Sequence, residues 1–203
     1  MGPEGQWHSE GPQYYYNLKS TENNESAIAL LDLLFNLTGD RKYREAADRA
    51  SVWLMTMYDA RTGVIARTSR LTRGVWVADT IDHLATDVTS WAPFARLKNS
   101  ISTGGIARML DATMRANGVY NGNELLGLSY SPTSAAQGVI SVEWTSQFAL
   151  RALRLYEETR DTKWRDLWMN LTARMEQSFK NPGYYQNLPS VYRRSSGLVA
   201  PYA

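Results

Sequence analysis

Cysteine is absent from the 203 residues, and histidine occurs only at His8 and His83. That rules out a disulfide framework and a thiolate zinc site, and two histidines far apart in the chain form no metal motif. EF-hand spacing is missing as well, so no metal site and no cofactor are expected. No apolar stretch approaches the roughly 18 residues that span a bilayer. The opening residues lack the basic-then-apolar order of a secretory leader, so the chain reads as soluble, without a membrane partner and with its compartment undetermined. An excess of one charge is also lacking: 22 Lys and Arg stand against 20 Asp and Glu. The pair Arg193-Arg194 is too short to track a phosphate backbone, which removes nucleic acid from the expected partners.

What is present is an ordinary folded composition with strong helical punctuation. Hydrophobic residues make up 43% of the chain, enough for one core, and residues 1–203 are read as a single helical-hairpin domain. Cap residues in Ser20-Thr-Glu-Asn-Asn-Glu-Ser26 precede an apolar run, Ala27 to Leu37, that is hydrophobic nearly all round; such a helix is expected to be an inner, buried one. Gly39 suits a left-handed stop and Asp40 a cap for the next helix. In that helix Tyr43, Ala46, Ala47, Ala50, Trp53, Leu54 and Met57 keep a three-four spacing, the pattern of an outer, amphipathic helix.

The same order returns later in the chain. One constant offset superposes Glu22 on Glu143, Thr38 on Thr159, Asp40 on Asp161, Lys42 on Lys163 and Tyr43 on Trp164. These are cap, turn and packing positions, as expected of an internal repeat. A middle copy starts at Asp87, passes Pro93 in or just beyond its first turn, and continues into a helix ending near Gly118. The expected fold is therefore all-α, with three inner and outer helical hairpins of about sixty residues each. Return loops after the outer helices are long, and Gly63 to Thr68 and Gly74 to Thr80 read as the strands of a short hairpin over one rim. Residues 1–20 form an extended entrance segment. Residues 184–203 resemble that lead-in, since Tyr184-Tyr-Gln-Asn-Leu-Pro-Ser190 echoes Tyr14-Tyr-Tyr-Asn-Leu-Lys-Ser20.

Alternating inner and outer helices with acids and aromatics at the inner N-termini resemble the (α/α) toroid of the six-hairpin glycosidases. The resemblance covers roughly residues 20 to 183, which is about half of a ring, and implies a fragment of a longer enzyme or a ring completed by another chain. It also implies a carbohydrate-active enzyme, a glycoside hydrolase in the first instance, with an oligo- or polysaccharide as partner. An open half-ring would expose apolar helix faces and invite self-association or a missing remainder. The alternative is a non-catalytic helical-repeat module that binds a glycan or a protein.

Glycoside hydrolysis needs two carboxyl groups flanking the bond. Asp87 and Glu143 occupy equivalent places on two inner helices and form the first candidate pair, with Glu22, the repeat equivalent of Glu143, as substitute. The plainer reading of each is a helix-capping acid, and for Glu25 a member of a capping box. Trp91, Trp144, Trp76, Tyr16 and Asp82 are the candidate substrate-binding residues, because flat rings with a polar edge suit sugar faces. Trp53, Trp164 and Trp168 fall at helical spacings and are assigned to packing, Asp79 to turn formation and His83 to a loop. No G-x-S-x-G elbow supports a serine nucleophile.

Overall fold

A computed structural model describes residues 17–80, 83–91, 96, 100–179, 191–195 and 198–201 of the chain. The entrance segment before Asn17, Pro93 and residues 184–190 lie outside the described residues. Three helical hairpins form the body. The inner helices are α1 (Thr21–Thr38), α3 (Thr86–Trp91) and α6 (Val142–Thr159); the outer ones are α2 (Arg41–Thr56), α4 (Thr103–Asn117) and α7 (Thr162–Phe179). A short helix, α5 (Pro132–Ala136), lies in the second return loop. The inner helices stand side by side in the order α1, α3, α6, and each outer helix packs on its own inner partner.

The hinge between inner and outer helix is the same in the first and third hairpins, and short-range polar chemistry explains it. The Thr38 hydroxyl donates to Leu34 O at 2.7 Å, receives Asp40 N–H at 3.2 Å, and Asp40 Oδ1 caps Lys42 N–H at 3.0 Å. Thr159, Asp161 and Lys163 repeat those contacts at 2.7, 3.2 and 3.0 Å. Between them stands a left-handed residue, Gly39 at φ 70 in one copy and Arg160 at φ 59 in the other. In both, its N–H closes on the last turn of the inner helix.

α1 begins earlier than its sequence suggests. The stretch Thr21 to Ser26 is helical, not a lead-in, because the Ser20 hydroxyl caps Asn23 N–H at 3.3 Å and Thr21 already finds partners in the first return loop. A second correction concerns its burial. Ile28 is buried, but Leu30, Leu33 and Leu37 are exposed, so the helix hydrophobic all round has only one covered side in this chain. Trp164 lies in the core, and Trp53 and Trp168 pack against it, as their spacing predicts.

Small sheets gather at the rim where the inner helices start. β1 (Leu18–Ser20), β4 (Thr68–Thr72) and β5 (Val75–Ala78) form one antiparallel sheet. Its two-residue turn at Arg73 and Gly74, both at positive φ, is the kind that matches strand twist. Val64–Ile65, expected to pair within this hairpin, forms β3 and pairs instead with β2 (Tyr58–Asp59). The Asp59 carboxylate accepts from Arg61 N–H and the Thr62 hydroxyl, and Gly63 at φ 73 turns the chain back at once. β6 (Gly118–Asn121) and β7 (Glu124–Leu128) form the second loop's hairpin.

The third sheet joins β8 (Val139–Ser141), β9 (Val191–Ser195) and β10 (Leu198–Pro201). Ser141 pairs with Val191 as Ser20 pairs with Thr68, and Val199 faces Arg194 as Trp76 faces Leu71. The hairpin near the end of the chain is thus the repeat counterpart of β4 and β5, laid on the strand that leads into α6.

Gly63 combines a left-handed backbone with a close backbone neighbour. A Cβ there would meet the Arg108 backbone at 2.8 Å, and its φ is left-handed. Gly63→Ala is expected to lower stability by roughly 2 kcal/mol through strain and a forced shift of α4. Denaturant unfolding with an unchanged midpoint would contradict this packing.

Candidate active site

Each inner helix is fixed at its first turn by a buried threonine. The Thr21 hydroxyl donates to Ala66 O at 2.5 Å, while Thr21 N–H donates to Arg67 O at 2.9 Å. Thr86 N–H donates to Tyr130 O at 3.1 Å, and its hydroxyl donates to Ser129 O. Thr86 also receives Asn117 Nδ2 at 2.9 Å, the same amide that reaches Leu84 O and Tyr130 O. On α6 the Thr145 hydroxyl receives Leu128 N–H at 2.9 Å. Thr21 and Thr86 are each followed immediately by a carboxylate, Glu22 and Asp87, so the anchors deliver these acids to the rim.

Glu22 and Asp87 are brought together. Asp87 is buried. One of its oxygens accepts Val88 N–H at 2.8 Å, and the Glu22 carboxyl is close enough to act on its charge. Burial pushes the Asp87 carboxyl up to about 6, opposed by the backbone hydrogen bond and assisted by the neighbouring Glu22. Burial, with a second carboxyl beside it, thus keeps a proton on Asp87 to a higher pH than an isolated aspartate would.

Beneath this pair lies a residue that the capping-box reading does not anticipate. Glu25 is buried, and neither of its oxygens has a hydrogen-bond partner among the described residues. Desolvation raises its pKa well above the usual range, Asp87 and Glu22 raise it further, and Arg151 on α6 pulls the other way. Arg151 is itself buried, and its pKa is pushed down to about 9 by desolvation, opposed by Glu25 and Glu158. Nothing in the spacing of Glu25 or Arg151 marks them as a buried couple across two helices.

Glu143 is exposed at the first turn of α6. Gln147 Nε2 donates to Glu143 Oε1 at 3.4 Å, and Gln147 Oε1 accepts the Ser90 hydroxyl at 3.4 Å. One amide thus ties Glu143 to the turn of α3 that carries Asp87. Among the aromatics, Trp91 ends α3 and is 46% exposed. Trp144 is half-buried and stacks on Tyr130, with ring centroids 4.8 Å apart and tilted by 41°. Trp76 on β5 carries the Lys19 ammonium over its ring at 4.1 Å, which occupies one of its faces. Asp79 accepts the Thr68 hydroxyl and sits 3.7 Å from Arg67, closing the β4–β5 hairpin. His83 is exposed. Tyr16 and Asp82 lie outside the described residues. Among the described residues no group of three or more acids and histidines is arranged to hold a metal ion.

No family model matches the chain, and no curated protein matches it by sequence. Solved structures do. A β-1,3-1,4-glucanase from Paenibacillus sp. X4 superposes with a TM-score of 0.63 at 12% identity, over 92% of this chain and 50% of its own. Cellobiose 2-epimerase from Bacillus thermoamylovorans gives 0.63 at 11% identity, over 94% and 52%. Unsaturated glucuronyl hydrolase from Bacillus sp. GL1 gives 0.60 at 14% identity, over 96% and 56%. The chain spans about half the length of these structures, and its architecture is that of a partial (α/α) toroid.

The raised acids predict a stability profile with a definite sign. A carboxyl whose folded pKa lies above its unfolded value binds more protons in the folded state, so stability is full below the unfolded pKa and falls as pH rises. For Asp87 the loss runs from about pH 4 to about 6, and for Glu25, whose pKa is also raised, the loss has the same sign. Glu25→Gln is expected to flatten the fall in melting temperature above pH 5. Parallel profiles for the two proteins would contradict a buried neutral Glu25.

Proposed function

We propose that this chain carries the acid-base centre of a carbohydrate-active enzyme, most concretely a glycoside hydrolase acting on an oligo- or polysaccharide. The observation that carries the reading is the Asp87 carboxyl, buried at the start of α3 and held protonated up to about pH 6 beside Glu22. A general acid for a glycosidic oxygen needs that property. Glu22 is the neighbouring carboxyl that helps to raise the Asp87 pKa. It therefore serves best as the group that keeps the proton on Asp87. Glu143, exposed and tethered through Gln147 to the same turn, is the better placed base.

In this mechanism the sugar lies over the starts of α3 and α6. Asp87 delivers its proton to the leaving oxygen as the bond to the anomeric carbon breaks. Glu143 takes a proton from the water whose oxygen forms the new bond. Trp91, with an open ring, offers a stacking face; Trp144, already stacked on Tyr130, offers an edge, and Tyr16, Trp76 and Asp82 are further candidates for sugar contacts. The likeness to hydrolases and an epimerase supports carbohydrate chemistry without choosing the linkage, so the test must screen several substrates.

Purified protein assayed on β-1,3-1,4-glucan, α-mannan and unsaturated uronyl oligosaccharides is expected to release reducing sugar from at least one. On that substrate Asp87→Asn and Glu143→Gln should each reduce kcat by roughly 10²- to 10⁴-fold, with binding of the sugar retained. Full activity in either variant removes that residue from the chemistry. Binding without turnover on any substrate would support the glycan-binding module instead.

A further inference from the structure

We propose that Gln147 is a positioning residue for the acid-base pair: its side chain sets the place of Glu143 on α6 relative to the α3 turn that carries Asp87. The inference rests on the reading of Asp87 and Glu143 as acid and base. It concerns a joint inside the chain, between the second and third hairpins.

The two acids stand at the first turns of different helices, and neither helix alone fixes their separation. Asp87 is held within its own turn, where its carboxyl accepts Val88 N–H at 2.8 Å. Glu143 is exposed, so an untethered side chain there samples several rotamers. Gln147 lies one helical turn further along the same face and donates from Nε2 to Glu143 Oε1 at 3.4 Å. The other end of that amide, Oε1, meets the Ser90 hydroxyl at 3.4 Å. Ser90 also bonds Thr86 O at 2.9 Å and Asp87 O at 3.3 Å. The bridge therefore ends on the backbone of the Asp87 turn and leaves the Asp87 carboxyl free to use its proton.

Only an amide suits this place. A carboxylate accepts and does not donate, and an ammonium donates and does not accept, whereas glutamine does both and adds no charge beside either acid. The internal repeat does not account for the bridge. One turn after the acid stand Ser26 on α1, Trp91 on α3 and Gln147 on α6, so neither a shared cap nor a shared packing position calls for glutamine. Ser146, the counterpart of Ser90, bonds Val142 O on its own helix and Met175 Sδ in the same hairpin. The reach of Ser90 to a neighbouring inner helix is thus particular to the joint that holds the two acids. Acid and base must straddle one bond, and a displacement of about 1 Å costs on the order of 10²-fold in rate. A link between their helices acts on that geometry, and so on kcat more than on KM.

Gln147→Met keeps the length of the side chain and removes both hydrogen bonds. On a substrate that the wild type turns over, kcat is expected to fall roughly 10- to 100-fold, with KM within about twofold and helical circular dichroism unchanged. Ser90→Ala, which removes the anchor and leaves Gln147 in place, should lower kcat in the same way. In a Glu143→Gln background, Gln147→Met should have no further effect on kcat, because the amide acts through Glu143. A further loss in that background, a loss that comes with reduced helical signal, or wild-type kcat in Gln147→Met beside an inactive Glu143→Gln would overturn the role of Gln147 alone. Full activity in Glu143→Gln, or no turnover of any substrate, would remove the base and this role with it.

Discussion

The structure depends on a buried hydroxyl at the start of each inner helix. Thr21, Thr86 and Thr145 each exchange a hydrogen bond with the backbone of a return loop, to Ala66, Ser129 and Leu128 respectively. The hydroxyls of Thr21 and Thr86 satisfy loop carbonyls and that of Thr145 a loop N–H. The N–H groups of Thr21 and Thr86, unpaired within their helices, donate to Arg67 O and Tyr130 O. Asn117 reinforces the middle anchor by bonding the Thr86 hydroxyl and two loop carbonyls from the end of an outer helix. Leaving such a buried group unpaired costs on the order of 1–3 kcal/mol. The loops are long, yet their ends are fixed where the helices begin.

Those anchors have an electrostatic consequence. Residues directly after Thr21 and Thr86 are forced to one rim, and both are acids. Carboxyls in a partly dry site ionise less readily, so Asp87 and Glu25 hold protons that isolated carboxyls would lose. Arg151 moderates the cluster from α6, at the cost of its own desolvation. The arrangement is less stable at neutral pH than an uncharged core would be. It also keeps an acid protonated beside an open rim, which is the compromise expected of a reactive site.

Much of the fold was legible because its signals are local. Gly39-Asp40 and Arg160-Asp161 end one helix and cap the next with short side chains, and the internal offset finds them. The all-round apolar pattern of α1 predicts complete burial, but periodicity reports which faces can be covered and not which neighbours are there. The hairpin of β9 and β10 is not legible from the lead-in echo at residues 184–190; its likeness to Thr68 to Ala78 lies in the pairing register. At the site, Asp87, Glu143 and Glu22 were findable as acids at equivalent helix starts. The nearness of Glu22 to Asp87, the burial of Glu25 and its Arg151 neighbour depend on helix phase across three hairpins, which no short motif encodes.

The most direct test of the account is the titration of the Asp87 carboxyl carbon by ¹³C NMR in the wild-type chain and in Glu22→Gln. The account predicts an apparent pKa near 6 that falls in part once Glu22 no longer carries charge, with the rise due to burial of Asp87 remaining. A value near 4 in the wild type, or one that Glu22→Gln leaves unmoved, would contradict a proton held at this pair.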